Sequence, residues 1–461
     1  MFKRELGDLY RADLADKIAQ SHRLVEQWFG ALAKDRPAIV RQIDALGLEP
    51  AVVGRITRIR SDWPALEGGV YYINERVGPH DVMYFVGIPK DYDRTKPWPL
   101  LIKLPTAHAF VTDPAPDAEQ VAAIYTGWIK DELAAHPDAI VLMPRLNLTE
   151  LWGPSMPGMN TVIQPLRHVM DQANVDPARI YLHGHGMSAH AVWNLGFHYT
   201  TYFAALSPLA GGARAEFQRV RMMNLLNVPI VAWHDQQDKV VPVDESRQLV
   251  WNLKRFGCTV DYEETKDVGH APTAEIAERV YSKMRQHKRE LYPKRLSIRS
   301  TRPETMFNRS DWLQMWQPIV GGREQRMRFT RGSGFLRVYE FTFTVFAERK
   351  PDNRFEIRTE NVDSIRLLFN EQMVDFSKPV TVLVNGKERF KGMLKQDLGE
   401  MLGDQLFLGR GFRYFTAVLD IDIFARSVPA TGPTTSATSR PRGTIEVIRP
   451  GSDKPQVIEV P

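Results

Sequence analysis

The strongest constraint on the fold is the alternation of short apolar runs with amphipathic segments between residues 80 and 290. The apolar runs, such as 82–88 and 100–104, have the length of strands and are bounded by proline. The segments between them, such as 118–135, carry apolar residues at helical spacing. Repeated βα units of this kind predict a mostly parallel sheet with helices on both faces.

The flanking regions have different patterns, and we expect five parts in all. Residues 1–66 have helical periodicity and predict a helical N-terminal extension, followed by the α/β domain over 67–293. Residues 294–330 are rich in Arg, Pro and Trp and predict a linker. Residues 331–426 hold strand-like runs with almost no helical pattern, which is typical of a β-sandwich. Residues 427–461 are rich in Ser, Thr, Pro and Gly and predict a flexible tail with one last strand.

Composition excludes several classes of protein. No stretch of about 18 apolar residues is present, so no membrane span is expected. The first residues lack the apolar core of a signal peptide, so we expect a cytoplasmic protein, or an exported one if a signal lies upstream of Met1. The single cysteine, Cys258, excludes an internal disulfide and a cysteine-based metal site.

The charge is uneven along the chain. Residues 294–461 carry 27 Lys and Arg against 20 Asp and Glu, whereas the rest of the chain carries 33 against 35. This basic third suits an anionic polymer or surface, although a solvated arginine-rich face is the simpler interpretation.

One short segment carries the pattern of a catalytic turn. Residues 179–190 combine an apolar strand, a glycine-containing turn and the start of a helix. A serine-hydrolase nucleophile elbow has Gly-x-Ser-x-Gly at this place. Here the turn is Gly184-His185-Gly186-Met187-Ser188, so Gly186 occupies the nucleophile position and Ser188 occupies a glycine position.

Residues 80–290 resemble the α/β-hydrolase family, in the branch of dienelactone hydrolases and prolyl-oligopeptidase-like esterases. The resemblance lies in the elbow, in the loop 233–243 with Asp238 at the acid position, and in the loop 268–270 with His270 at the base position. It implies carboxylic-ester or peptide hydrolysis by a nucleophile, an acid and a base in that chain order, without a cofactor or a metal.

The sequence departs from the family pattern at two places. Gly186 has no side chain that can attack a substrate. The strand 100–104 runs into Pro105, which has no N–H, so the oxyanion donors would be the backbone N–H groups of Met187 and of Thr106 or Ala107. We also expect a substrate cleft lined by Trp152, His108 and His185.

Three functions remain open from the sequence. The first is a protein descended from serine esterases or peptidases with reduced or lost serine chemistry. The second is an active hydrolase that uses Ser188 with His270 and Asp238. The third is a non-catalytic binding or scaffold protein, and in each case the expected ligand is a small ester, a peptide or a glycan. A zinc site built from His183, His185 and His190 is not expected, because their spacing matches no established ligand motif.

Overall fold

The chain folds into two compact units, Met1–Phe424 and Ala425–Pro461. A computed structural model describes residues 2–60, 63–77, 80–106, 117–146, 156–213, 220–301, 308–318, 326–331, 334–339, 342–423, 444–447 and 456–459. No helix in these ranges is long and apolar enough to cross a membrane.

The chain begins with the helical region that the periodicity predicts. Its helices are α1 (Phe2–Leu6), α2 (Ala15–Gly30), α3 (Arg36–Asp44) and α4 (Pro50–Ile56). Proline stands in the first turn of α3 and of α4, where its missing N–H costs no helical hydrogen bond. The apolar stripes of these helices form one core together with Met401 and Leu402 from the far end of the unit.

The central element is an eight-stranded, mostly parallel sheet. Its strands are β1 (Gly69–Val77), β2 (His80–Ile88), β3 (Trp98–Leu104), β4 (Ile140–Pro144), β5 (Val175–His185), β6 (Ala205–Leu209), β7 (Ile230–Asp235) and β8 (Val260–Thr265). They follow the order β1-β2-β4-β3-β5-β6-β7-β8. Strands β1 and β2 run antiparallel to their neighbours, and the six from β4 to β8 are parallel.

Helices cover both faces of this sheet. They are α5 (Ala118–Ala135), α6 (Met156–Gln172), α7 (Met187–His198), α8 (Val243–Arg255) and α9 (Ala274–Met284). Because successive strand residues point to opposite faces, Leu100 and Ile102 pack in the core with α6, α7 and α8, whereas Leu101 packs with α9. The predicted α/β-hydrolase-like architecture of a mostly parallel sheet between helices is therefore confirmed.

The rest of the large unit is mostly β. Its elements are β9 (Arg295–Ser300), β10 (Arg309–Ser310), β11 (Leu313–Pro318), β12 (Arg326–Arg331), β13 (Gly334–Tyr339), β14 (Phe343–Lys350), β15 (Arg354–Glu360), β16 (Val362–Phe369), β17 (Val380–Val384), β18 (Lys387–Gly392), α10 (Leu398–Leu408) and β19 (Ala417–Asp422). A five-stranded sheet, β18-β17-β15-β14-β9, and a four-stranded sheet, β10-β11-β16-β19, enclose one apolar core. Strands β12 and β13 pair with each other.

The structure differs from the sequence in the segment 294–330, which is expected to be a linker. This segment contributes β9, β10 and β11 to the two sheets, because Leu296, Ile298, Leu313 and Met315 are buried in their shared core. The β region therefore begins near residue 295 rather than at 331. The small unit holds two paired strands, β20 (Thr444–Val447) and β21 (Gln456–Glu459), where one last strand is expected.

Candidate active site at the elbow

A single residue makes the turn at the carboxyl end of β5. Strand β5 ends at His185 and helix α7 begins at Met187, so Gly186 alone reverses the chain. Its backbone has φ +59° and ψ −119°, a conformation that glycine adopts without strain and that side chains disfavour. The Gly186 N–H donates to the carbonyl of Leu209 at 2.9 Å, which fixes the turn against the end of β6.

The sharpness of the turn brings the residues on either side of it into contact. A Cβ placed on Gly184 would lie 2.6 Å from the carbonyl oxygen of Ser188 and 3.0 Å from its Cβ. A residue with a side chain therefore does not fit at position 184. The carbonyl oxygen and the Cβ of Ser188 therefore lie against strand β5.

The side chain of Ser188 is buried in the first turn of α7. It is completely buried, and its hydroxyl donates to the carbonyl of Pro105 at 2.6 Å. Pro105 directly follows β3, which is the neighbour of β5 in the sheet. Ser188 thus fastens the first turn of α7 to the end of β3.

The predicted acid and base form a hydrogen-bonded pair. Asp238 follows β7 and His270 follows β8, and Nδ1 of His270 donates to Oδ2 of Asp238 at 2.7 Å. The other carboxylate oxygen accepts the N–H groups of Val240 and Val241 at 2.7 and 2.9 Å. Burial raises the pKa of Asp238, but these hydrogen bonds outweigh it and leave the pKa below its ordinary value.

A second histidine supports the carboxylate and is absent from the predicted site. Nε2 of His234 lies 3.1 Å from Oδ2 of Asp238, and its Nδ1 lies 2.7 Å from the hydroxyl of Ser246. The ring is completely buried. The sequence holds one signal for it, since a histidine four residues before the acid lies at the end of the strand that leads into the acid loop.

The imidazole of His270 faces Gly186, the residue at the predicted nucleophile position. A Cβ built on Gly186 would lie 2.9 Å from Nε2 and 3.4 Å from Cε1 of His270. The structure therefore brings together three of the predicted site residues, Gly186, Asp238 and His270. The fourth, Ser188, makes a different contact.

The predicted oxyanion donors lie at the same edge of the sheet. Met187 opens α7, so its N–H has no acceptor within the helix. Thr106 comes two residues after β3, whose last residue, Leu104, is in register with Gly184. Met187 and Thr106 therefore both lie near the elbow, and their role as oxyanion donors stays a prediction.

Of the three residues expected to line the cleft, one can be placed. Nε2 of His185 donates to the backbone carbonyl of His270 at 2.8 Å and so steadies the loop that carries the base. His108 and Trp152 lie outside the described residues.

A cavity of about 280 Å³ lies beside the carboxyl ends of β3 and β5. Its lining includes Thr106, Trp128, His183, His185 and Pro272. Burial lowers the pKa of His183 to about 3, so this ring is neutral at physiological pH. The cavity provides space for a small ligand at this edge of the sheet.

The three clustered histidines make separate contacts. Nδ1 of His183 lies 3.2 Å from the hydroxyl of Ser207, His185 contacts the His270 carbonyl, and His190 bonds the carbonyl of Gly212. No group of three His, Cys, Asp or Glu side chains in the described part of the chain is arranged to hold a metal ion.

The chain is similar to known proteins in its three-dimensional structure rather than in its sequence. No protein-family model and no curated protein sequence match the chain. A thermostable esterase is 24% identical with a TM-score of 0.39, over 48% of this chain and 64% of the esterase. An S-formylglutathione hydrolase from Staphylococcus aureus is 13% identical with a TM-score of 0.37, over 48% of this chain and 98% of the other. A dienelactone hydrolase candidate from Klebsiella pneumoniae subsp. pneumoniae is 13% identical with a TM-score of 0.36, over 47% and 95%.

The chain thus spans less than two thirds of the thermostable esterase, and the aligned part is about half of this chain.

Proposed function

We propose that this protein has an α/β-hydrolase fold descended from serine esterases or peptidases, in which covalent serine catalysis is reduced or lost. The observation that carries the proposal is the 2.9 Å distance between Nε2 of His270 and the site of a Gly186 Cβ. The base is aimed at the nucleophile position, and that position holds only hydrogen.

The chemistry follows from the division of labour in a catalytic triad. The imidazole takes the proton of a hydroxyl, and the carboxylate holds the imidazole and stabilises its charge. Asp238 and His270 retain these two roles, but without a hydroxyl no acyl-enzyme forms. Carbonyl polarisation by N–H groups alone leaves a residual acceleration of roughly 10³–10⁴ over water in serine proteases without a triad member.

The remaining site suits a ligand that carries a carbonyl group. The N–H groups of Met187 and Thr106 and the 280 Å³ cavity lie at one edge of the sheet. Ligand binding by this edge would need no nucleophile. We therefore infer a small ester, a peptide or an acyl-bearing glycan as the ligand class.

The geometry gives less support to catalysis by Ser188. Its hydroxyl is buried and bonded to Pro105, and it would have to leave this bond to reach the imidazole. Binding of an anionic polymer by the basic C-terminal third stays a prediction that needs its own measurement.

A fluorophosphonate probe tests the proposal, because it labels only an activated serine. We expect no labelling of the natural protein or of Ser188→Ala, and clear labelling of Gly186→Ser. The imidazole must shift by a few tenths of an ångström to admit the new Cβ. Gly186→Ala is the matched control, since it adds the same Cβ without the hydroxyl and should stay unlabelled.

Hydrolysis of p-nitrophenyl acetate gives the corresponding rate. Gly186→Ser should raise kcat/KM at least about tenfold, since a positioned general base contributes roughly 10²–10⁴. The double variant Gly186→Ser/His270→Ala should lose this gain. Labelling of the natural protein that disappears in Ser188→Ala would contradict the proposal and assign catalysis to Ser188.

A further inference from the structure

We propose that the protein binds a small organic phosphate in a second cavity, at the edge of the sheet opposite the elbow. The arginine cavity has a volume of about 310 Å³ and is lined by Arg4, Arg58, Arg60, Arg94 and Arg410 together with apolar residues. This site is independent of the function proposed for the elbow.

The position of the cavity follows from the direction of the parallel strands. Its lining includes Pro97, directly before β3, and Val175, the first residue of β5. The elbow lies at the carboxyl ends of the same two strands, next to Leu104 and His185. The length of the sheet therefore separates the two sites.

Backbone carbonyls orient two of the arginines, Arg94 and Arg410. Arg94 donates to the carbonyl of Trp63 at 2.8 Å. Arg410 donates to the carbonyls of Thr57 and Ile59, each at 3.2 Å. These contacts reduce the freedom that a guanidinium group would lose on binding a ligand.

The charge of the described lining is strongly unbalanced. It contains five guanidinium groups and one carboxylate, that of Glu5, which pairs with Arg4 at 3.2 Å. Two of the other guanidinium groups reach carboxylates outside the lining, Arg60 at 3.3 Å from Asp171 and Arg410 at 4.0 Å from Glu26. The two lining arginines outside these three pairs are Arg58 and Arg94, and a ligand with two negative charges would balance them. The planar fork of arginine matches the oxygens of a phosphate.

The remaining wall is apolar and suits the organic part of such a ligand. Trp63, Met170 and Phe412 contribute to it, and the Arg60 guanidinium lies 5.6 Å from the centre of the Trp63 ring. The volume is near the lower end of the roughly 300–1,000 Å³ that is usual for ligand pockets. A compact molecule with one apolar group and one phosphate fits these dimensions, whereas a polymer does not.

Calorimetric titration of the full chain with phenyl phosphate tests the proposal, with sodium chloride added to keep the ionic strength constant. We expect saturable binding that is at least tenfold tighter than that of inorganic phosphate, which lacks the apolar group. Binding should also be at least tenfold tighter than that of benzoate, which replaces the phosphate by a carboxylate. Phenol should not bind.

Variants assign the binding to the cavity. Arg58→Gln and Arg94→Gln lie in different segments, and each should weaken phenyl phosphate binding at least tenfold. Arg354→Gln is the control, because Arg354 is an exposed residue of β15 that pairs with Glu356 at 2.9 Å, and its affinity should change less than twofold. A thermal unfolding curve without ligand confirms that each variant is folded.

Three results would overturn the proposal. The first is the absence of saturable phenyl phosphate binding at constant ionic strength. The second is benzoate binding as tight as that of phenyl phosphate, which would show a general anion site. The third is that the two single variants, Arg58→Gln and Arg94→Gln, are folded and bind phenyl phosphate as tightly as the natural protein. This result would give both arginines a purely structural role.

Discussion

At the scale of single residues, the carboxylate of the Asp238–His270 pair is held by several hydrogen bonds. The carboxylate of Asp238 is completely buried and accepts hydrogen bonds from His270, from His234 and from two backbone N–H groups. A buried carboxylate needs such partners to stay charged. The pair is therefore a stable part of the loop structure, and a hydroxyl introduced at position 186 would meet an imidazole that is already held in place.

His183, in strand β5, makes the stability of the protein depend on pH. Burial lowers its pKa from about 6.5 to about 3, so the unfolded chain binds a proton between these values and the folded chain does not. The folded protein therefore loses no stability through His183 above about pH 6.5, and its free energy of unfolding decreases as the pH falls below this value. We expect His183 to account for a loss of about 2 kcal/mol between pH 7 and pH 5.

Urea denaturation of the natural protein and of His183→Gln between pH 5 and pH 7 measures this contribution. The variant should lose less stability over this range, because glutamine does not titrate. A stability difference between the two proteins that stays constant with pH would contradict the assignment.

At the scale of secondary-structure elements, the turn between β5 and α7 depends on glycine. We predict that Gly186→Ala destabilises the protein by roughly 1–3 kcal/mol, because alanine is strained at φ +59°. The new Cβ also presses on His270. Gly127→Ala is the matched control, since Gly127 lies within α5 and a Cβ there has no neighbour within 4 Å. It should stabilise the protein by roughly 0.5–1 kcal/mol in the same urea experiment. Equal effects of the two substitutions would contradict the argument.

The elements that the sequence predicts are those whose parts are adjacent in the chain, and the elements that it misses depend on distant partners. The βα alternation and the elbow are recognisable because strand, turn and helix are adjacent in the chain. Strand β9 is not, because Leu296 and Ile298 form only a short alternation and their partner strand, β14, lies over forty residues away. The contact between His234 and Asp238 likewise depends on the loop conformation, which residue spacing alone suggests but does not determine.

At the scale of the whole molecule, a buried ionic cluster joins the α/β part to the β part within the large unit. Arg289 contacts both carboxylate oxygens of Asp311 at 2.6 and 2.8 Å, and Arg413 bonds the same carboxylate. The two arginines also donate to the carbonyls of Phe203 and Thr201, in the segment between α7 and β6. The sheets around Asp311 are thereby tied to the central sheet through groups that are fully buried.

This cluster should be worth more than any exposed ion pair, because burial makes an unpaired charge costly. Burial lowers the pKa of Arg413, and the Asp311 carboxylate opposes that shift. We predict that Asp311→Asn lowers the free energy of unfolding by about 3 kcal/mol, since breaking one partner of a buried pair costs about 3–5. Asparagine tolerates the φ of +50° at this position as aspartate does, so the backbone is preserved.

Asp420→Asn removes the carboxylate of the more exposed pair with Arg366 and should cost less than about 1 kcal/mol. Urea denaturation measures both, and a cost for Asp311→Asn no larger than that for Asp420→Asn would show that the cluster does not hold the two parts together.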